Sequence, residues 1–462
     1  MQHHTAGITP YGPIPSARQR AWHEREFYGF VHFTVNTFTD REWGYGDESP
    51  DTFDPTAFDA EQIVDTAKRG GMRGLILTAK HHDGFCLWPS RYSTHTVAQS
   101  RWHAGQGDVV GELARACAAA GLQYGLYLSP WDRNHAAYGQ PAYLTYYRNQ
   151  LRELLTNYGP LFEGWFDGAN GGDGFYGGAN EQRKIDATTY YGWEETFQIV
   201  RDLQPDACIF SDAGPDVRWV GNEHGIAGDP CWATIDPTGL YPGLAEPAIL
   251  NRGQRDGAAW LPAECDVSIR PGWFYHAHED DKVRSPANLL DLYLASVGRG
   301  ANLLVNLPVA PTGQVHPLDR AALLGFAAAR EQLYAHPLTP TQVHASTTHA
   351  HCPAPHTQDD AQTCWVAAGD DPLPTLTLLF ATPQRVALVD VREYLPLGQR
   401  IDGWELEVLR GADWLRVAEG ASIGNRRLVR IAASHATAVR LRVTGQSAPA
   451  AIRTMRVYGG AE

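Results

Sequence analysis

The sequence predicts an α/β fold: a TIM-like (β/α)-barrel with room for distortion over residues 1–336, followed by an antiparallel β-sandwich over residues 337–462. Three observations predict it. Between about residue 20 and residue 335, strand-like runs alternate with amphipathic helical patterns over short connections, the signature of a parallel sheet covered by helices. Three of those runs, Phe27–Val31, Leu75–Lys80 and Leu161–Phe166, end on ionisable residues, at His32, at His81-His82-Asp83 and at Asp167. Strands that each deliver such a group at their C-terminal ends build the active face of a parallel barrel. Past residue 337 the helical period disappears and short alternating segments take over.

Phe27–Val31 is the first strand. Asp59 caps a helix with Gln62 at its third position, and Ile63, Val64 and Ala67 give it an apolar face before Gly70-Gly71 stops it. Met72–Lys80 follows as a strand. Asp108 and Gly121 bracket a helix carrying Val109, Val110, Leu113 and Cys117, and Leu122–Leu128 is the next strand. Pro141 opens a longer helix with Leu144, Tyr147, Leu151, Leu154 and Tyr158 on one side, closed by Gly159. After Leu161–Phe166 come a helix at Trp193–Leu203, a strand at Cys208–Phe210, a helix at Leu289–Val297 and a strand at Leu303–Leu307. Six barrel strands are thus assigned and two are not. No Gly-rich phosphate fingerprint follows the first strand, which disfavours a doubly wound nucleotide-binding sheet. In the second domain, Leu376–Phe380, Val386–Val391, Trp404–Leu409, Val439–Val443 and Met455–Tyr458 are the expected strands.

A formal charge of -14 argues against a nucleic-acid partner or an anionic membrane surface. No run approaches the ~20 apolar residues that span a bilayer. The 14 tryptophans supply flat apolar faces of the kind that hold sugars. Seven scattered cysteines without a CxxC pair argue against a zinc knuckle, and their odd number fits a reducing compartment. Met1–Arg20 lacks the basic-then-apolar pattern of a secretory signal, which leaves a cytoplasmic location or, with a leader removed, a periplasmic or secreted one.

A strand buried on both faces has no structural use for a terminal acid beyond capping, and Asp167 has company at the neighbouring strand ends. An aspartate there serves as nucleophile, general base or metal ligand. As a nucleophile in glycosyl transfer it needs a second carboxyl group as proton donor, ~5–5.5 Å away for retention or ~6.5–9.5 Å for inversion. Glu223 and Glu264 are the candidates, each in loop-like Gly- or Pro-containing surroundings near a Trp. A desolvated setting would raise either one toward use as an acid, and the residues leave both open. His81 and His82 together suit sugar hydroxyls as neutral hydrogen-bonding groups, Glu42 would anchor hydroxyls, and Trp43 would pack an apolar sugar face. Tyr127, near its strand end, is a further candidate or a core residue. A rival reading gives His32, His81, His82 and Asp167 to a metal, although the compact HxH or HxxxH spacing is absent from that set. A second rival is a non-catalytic carbohydrate-binding protein, which would keep the aromatics and need no paired acids.

Gly29-Phe30-Val31-His32-Phe33, Thr78-Ala79-Lys80-His81-His82-Asp83-Gly84-Phe85, Tyr127-Leu128-Ser129-Pro130-Trp131, Gly164-Trp165-Phe166-Asp167-Gly168 and Gly300-Ala301-Asn302-Leu303-Leu304-Val305-Asn306 occur in one order. Together they resemble the α-L-fucosidases of glycoside hydrolase family 29, from about Phe27 to Pro308. The resemblance implies a distorted barrel before a β-sandwich and a retaining exo-fucosidase acting on fucosylated oligosaccharides or glycoconjugates, with no cofactor and no metal. It implies Asp167 as nucleophile with Trp165 beside it, and a fucose pocket lined by His32, Glu42, Trp43, His81, His82 and Tyr127. Arg218–Glu223 and Arg392–Arg400 resemble the branch that acts on α-1,3/1,4 links, as does His32-Phe33-Thr34 where many members have His-Trp-Gly. On that ground Glu223 is the expected acid/base, with Glu264 as runner-up.

Overall fold

The structure, a computed structural model, describes residues 7–460. Eight parallel strands close into a barrel: β1 (Phe27–Val31), β2 (Gly74–Lys80), β3 (Gln123–Leu128), β4 (Glu163–Trp165), β5 (Cys208–Ser211), β6 (Val217–Trp219), β7 (Ala263–Ser268) and β8 (Asn302–Asn306). They run round the wall in chain order, and β8 pairs back onto β1 with Phe27 opposite Leu303. Side chains alternate across the wall as a period of two requires. Tyr28 and Phe30 of β1 point into the barrel, where they meet Ile76, Tyr127, Trp165, Phe210 and Leu304. Phe27 and Val31 point outward into the helical layer.

That layer contains α1 (Ala17–His23), α2 (Ala60–Arg69), α3 (Val109–Ala120), α4 (Pro141–Asn157), α5 (Trp193–Leu203), α6 (Pro286–Ser296) and α7 (Pro317–Leu333). Asp59 and Asp108 cap α2 and α3 by accepting the backbone N–H groups of Gln62 and Gly111. Gly121 ends α3 in the left-handed conformation, at φ 72°, which glycine adopts without a Cβ penalty. Helix α1, which begins in a Ser16–Gln19 capping box, sends Trp22 into the barrel interior.

The two unassigned strands are β6 and β7. β6 has three residues, and its centre is a fully buried Arg218 that donates to the carbonyls of Leu250, Leu261 and Trp232. β7 alternates Ala263, Cys265 and Val267 toward the helices with Glu264, Asp266 and Ser268 on the other face. Glu264 therefore stands on a barrel strand, not in the loop expected for it. No helix separates β5 from β6, and only the short helix Pro247–Arg252 lies between β6 and β7, so the barrel is distorted.

Beyond the barrel, β9 (Gln342–Ala345), β10 (Thr375–Glu393), β11 (Ile401–Arg410), β12 (Asp413–Gly420), β13 (Arg427–Gln446) and β14 (Ala451–Gly459) form an antiparallel sheet in the order β14-β10-β13-β11-β12, with β9 on β10. The segments expected as separate strands at 376–380 and 386–391 are one strand, β10. It shifts register against β13 between Leu379 and Gln384 and again between Val386 and Leu388. Bulges of this kind bend a long strand, and Leu378, Val389, Trp404, Leu441 and Met455 share one apolar core. Pro337 and Leu338 already pair with Tyr458 and Val457, and we propose the domain boundary between residues 336 and 337 on that basis. Glu26, just before β1, receives Arg392 at 2.6 Å and Arg426 at 2.7 Å, and Arg426 also pairs with Asp390 at 2.8 Å. These buried charges join barrel and sheet.

Candidate active site

The C-terminal ends of the barrel strands surround a cavity of about 130 Å³, room for one small ring. His32, His81, His82, Tyr127, Trp165, Asp167, Trp43 and Glu223 all line it. A larger cavity of about 790 Å³ lies at the other end of the barrel, among α1, α3 and the end of α4, and gathers none of these residues.

Asp167 lies two residues beyond β4. Its Oδ2 accepts the Tyr127 hydroxyl at 3.1 Å, and its Oδ1 accepts the Ala169 backbone N–H at 2.7 Å. Both oxygens are thus oriented while the side chain stays about a quarter exposed, open to the cavity. Trp165 stacks on Phe210 with ring centroids 4.1 Å apart and lies beside Tyr127.

Burial lowers the three histidines, His32 to about 3, His82 to about 4 and His81 well below its ordinary value, so all are neutral near neutral pH. Their neighbours fix two tautomers. Asn306 donates its amide N–H groups to the Trp273 carbonyl and the Ser268 hydroxyl, which leaves its Oδ1 to accept from His32 Nδ1 at 2.8 Å. Ser129 donates to the Trp131 carbonyl, so its oxygen accepts from His82 Nδ1 at 2.7 Å. Both rings therefore keep Nε2 as an acceptor, suited to a hydroxyl that donates. His82 Nε2 stands 4.0 Å from Asp167 Oδ2. His32, His81, His82 and Asp167 do not converge as a metal cluster; among the described residues, the group that does is Asp40, His276 and His278.

Glu223 sits at the exposed rim, where the Trp273 indole N–H donates to its Oε2 at 3.4 Å. Partial desolvation in the cavity mouth, helped by the charge of Asp167, raises its carboxyl above the ordinary range against that hydrogen bond. Glu264 is elsewhere. It is fully buried below the cavity, accepts the Trp165 indole N–H at 2.8 Å and the Tyr28 hydroxyl, and hydrogen-bonds Glu163. Burial pushes both of these carboxyls up, yet the elevated Glu264 has no access to the cavity. Glu264 thus holds the Trp165 indole from below the cavity.

Glu42 stands at the edge of the site, next to Trp43. It does not line the cavity, because its two oxygens hold the next loop: Oε2 takes the Trp273 N–H at 2.8 Å, and Oε1 takes Phe274 N–H at 3.0 Å and His276 Nε2 at 2.7 Å. Trp43 is half exposed and meets His82 and Trp131 edge-on. Asp266 on β7 was not expected in the site. It lines the cavity, accepts the Trp219 indole N–H at 2.8 Å, and is held well above the carboxylate range by burial and by Glu223. Glu264 and Asp266 two positions apart were the available signal, since such residues share one strand face. Phe30 and Trp273 complete the apolar wall.

Residues 11–328 match the family Alpha-L-fucosidase. The chain is similar to Alpha-L-fucosidase 1 of Arabidopsis thaliana, 40% identical over 431 residues that make up 91% of this chain and 82% of the relative. Among solved structures it is similar to a glycoside hydrolase 29 family member from an unknown rumen bacterium, at 42% identity and a TM-score of 0.87 over 98% of this chain and 78% of that one. A Ruminococcus gnavus GH29 fucosidase in complex with fucose aligns at 29% identity and a TM-score of 0.87, covering 99% of this chain and 97% of that one.

Proposed function

Because the chain belongs to the α-L-fucosidase family and is a glycoside hydrolase, we propose that it removes terminal α-linked L-fucose with retention, using Asp167 as nucleophile and Glu223 as acid/base. One observation carries the reading: Asp167 and Glu223 open on the same small cavity. Asp167 is oriented by two donors, whereas Glu223 is raised toward its protonated form.

In the first step Asp167 attacks the anomeric carbon while Glu223 gives its proton to the departing glycosidic oxygen. Glu223, now a carboxylate, takes a proton from water, which attacks the fucosyl–Asp167 ester and frees fucose. His32 and His82 accept from sugar hydroxyls through Nε2. Phe30, Trp165 and Trp273 offer the apolar wall that the methyl group at C5 requires.

We propose a preference for α-1,3/1,4 links. Its support is the likeness of Arg218–Glu223 to that branch, together with the rim. The segment bearing exposed Tyr241 and Leu244 docks beside Gly168, through the Gly243 N–H to Asp212 at 2.8 Å. Trp43 is exposed and lines the cavity, and on this proposal it and the exposed Tyr241 and Leu244 contact a second sugar. Energy from that contact, when realised in the transition state, raises kcat/KM. The test is release of fucose from an aryl fucoside, a Lewis-type trisaccharide and 2′-fucosylated lactose side by side. The Lewis-type substrate is expected to be cleaved fastest; equal kcat/KM on the α-1,2 and α-1,4 links contradicts the preference.

A further inference from the structure

Outside the sugar cavity, one cluster has no part in the proposed reaction. The loop after β7 carries His276-Ala277-His278, the HxH spacing missing from the strand-end histidines. Asp40, at the end of the short helix Val35–Thr39, faces it. One oxygen of Asp40, one ring nitrogen of His276 and one of His278 lie within 4.8 Å of one another. We propose that Asp40, His276 and His278 form a binding site for a divalent transition metal of the zinc type, with Glu42 orienting His276 from behind.

The ring of His276 carries the argument. It is 5% exposed and fixed between two carboxylates, with Nδ1 2.5 Å from Asp40 Oδ1 and Nε2 2.7 Å from Glu42 Oε1. With Nε2 facing Glu42, Nδ1 faces Asp40 Oδ1, and a cation that took the place of the proton between those two atoms would be bonded by both. A histidine that binds metal through one nitrogen and gives its other N–H to a carboxylate is the common outer-shell arrangement at metal sites. His278, whose ring lies 5.4 Å from that of His276, brings a second imidazole to the same place. Two imidazole nitrogens and one carboxylate oxygen suit zinc, with water completing four ligands.

Bonds of ~2.0–2.2 Å put neighbouring tetrahedral ligands roughly 3.3–3.6 Å apart. The 2.5 Å contact therefore opens and the wider spacings close, movements available to the exposed Asp40 and His278 about the fixed His276 ring. The ion would also tie the Asp40 turn to the loop that Glu42 holds through Trp273 and Phe274. It acts on stability at the rim and not on the bond being cleaved.

The test is zinc binding to the full chain, stripped of metal, by competition with a chromophoric chelator, beside His278→Ala and Asp40→Asn. Retained turnover of an aryl fucoside shows that each variant is folded. One zinc per chain at micromolar affinity is expected, weakened at least about tenfold in each variant, with a zinc-dependent rise in the thermal midpoint of the parent alone. No binding at micromolar zinc, or equal binding by both variants, overturns the proposal.

Discussion

Replacing Glu264 by Ala removes an acceptor shared by two buried donors, the Trp165 indole N–H at 2.8 Å and the Tyr28 hydroxyl. Each stranded donor costs about 1–3 kcal/mol, so the pair costs about 2–6 kcal/mol before any term for the cavity left behind. Set against a typical stability of about 5–15 kcal/mol, this lowers the thermal midpoint by several degrees. The loss depends on pH with a definite sign. Burial holds the Glu264 carboxyl above its ordinary range, so the charged form is disfavoured in the folded chain, and wild-type stability falls as pH rises from the unfolded value through the folded one. Ala has no such group, and the variant loses more at about pH 5 than at about pH 8. Thermal melts at the two pH values read this out. Kinetics give the second arm. At a temperature where the variant stays folded, azide leaves its turnover unchanged, whereas Glu223→Ala is rescued by azide attack on the fucosyl-enzyme. Azide rescue of Glu264→Ala, or an unchanged melt, refutes the assignment of Glu264 as a support.

Two further outcomes rest on the same geometry. Trp273→Phe removes the N–H that holds Glu223 down; Glu223 then rises further, and the alkaline limb of kcat/KM, which follows loss of the acid's proton, moves to higher pH. A limb that stays put or moves down counts against Glu223 as the acid. Asn306→Ala frees the His32 tautomer and is expected to cost about 1–3 kcal/mol, a loss of roughly 5- to 150-fold in kcat/KM for an aryl fucoside; unchanged kinetics would show that the fixed tautomer does not matter.

The barrel was legible where a strand carries an unbroken apolar run such as Leu75-Ile76-Leu77. β2, buried at all seven positions, is an example. It was illegible where function places polar residues on the inner face. β7 alternates acids with small apolar residues, so Glu264 reads as a loop acid and Asp266 does not stand out, and β6 is three residues built round an arginine. Asp167, His32, His81, His82 and Tyr127 were legible as strand-end groups, and all line the cavity. Nothing in the segment of Glu42 reveals that Trp273, Phe274 and His276 hydrogen-bond its oxygens from 231, 232 and 234 positions away. In the sheet domain, alternation pointed to parts of β10, β11, β13 and β14 and missed β9 and β12, and it did not show the joining into β10, because register shifts depend on the partner strand.

The central claim is that Asp167 forms the bond to fucose. Incubation with a 2-fluoro-substituted fucosyl fluoride, which slows hydrolysis of the covalent intermediate, followed by peptide mass mapping, tests it most directly. A stoichiometric fluorofucosyl adduct is expected on the peptide bearing Gly164-Trp165-Phe166-Asp167-Gly168, and none on Asp167→Asn. An adduct on another carboxylate, or the same adduct on Asp167→Asn, would contradict it.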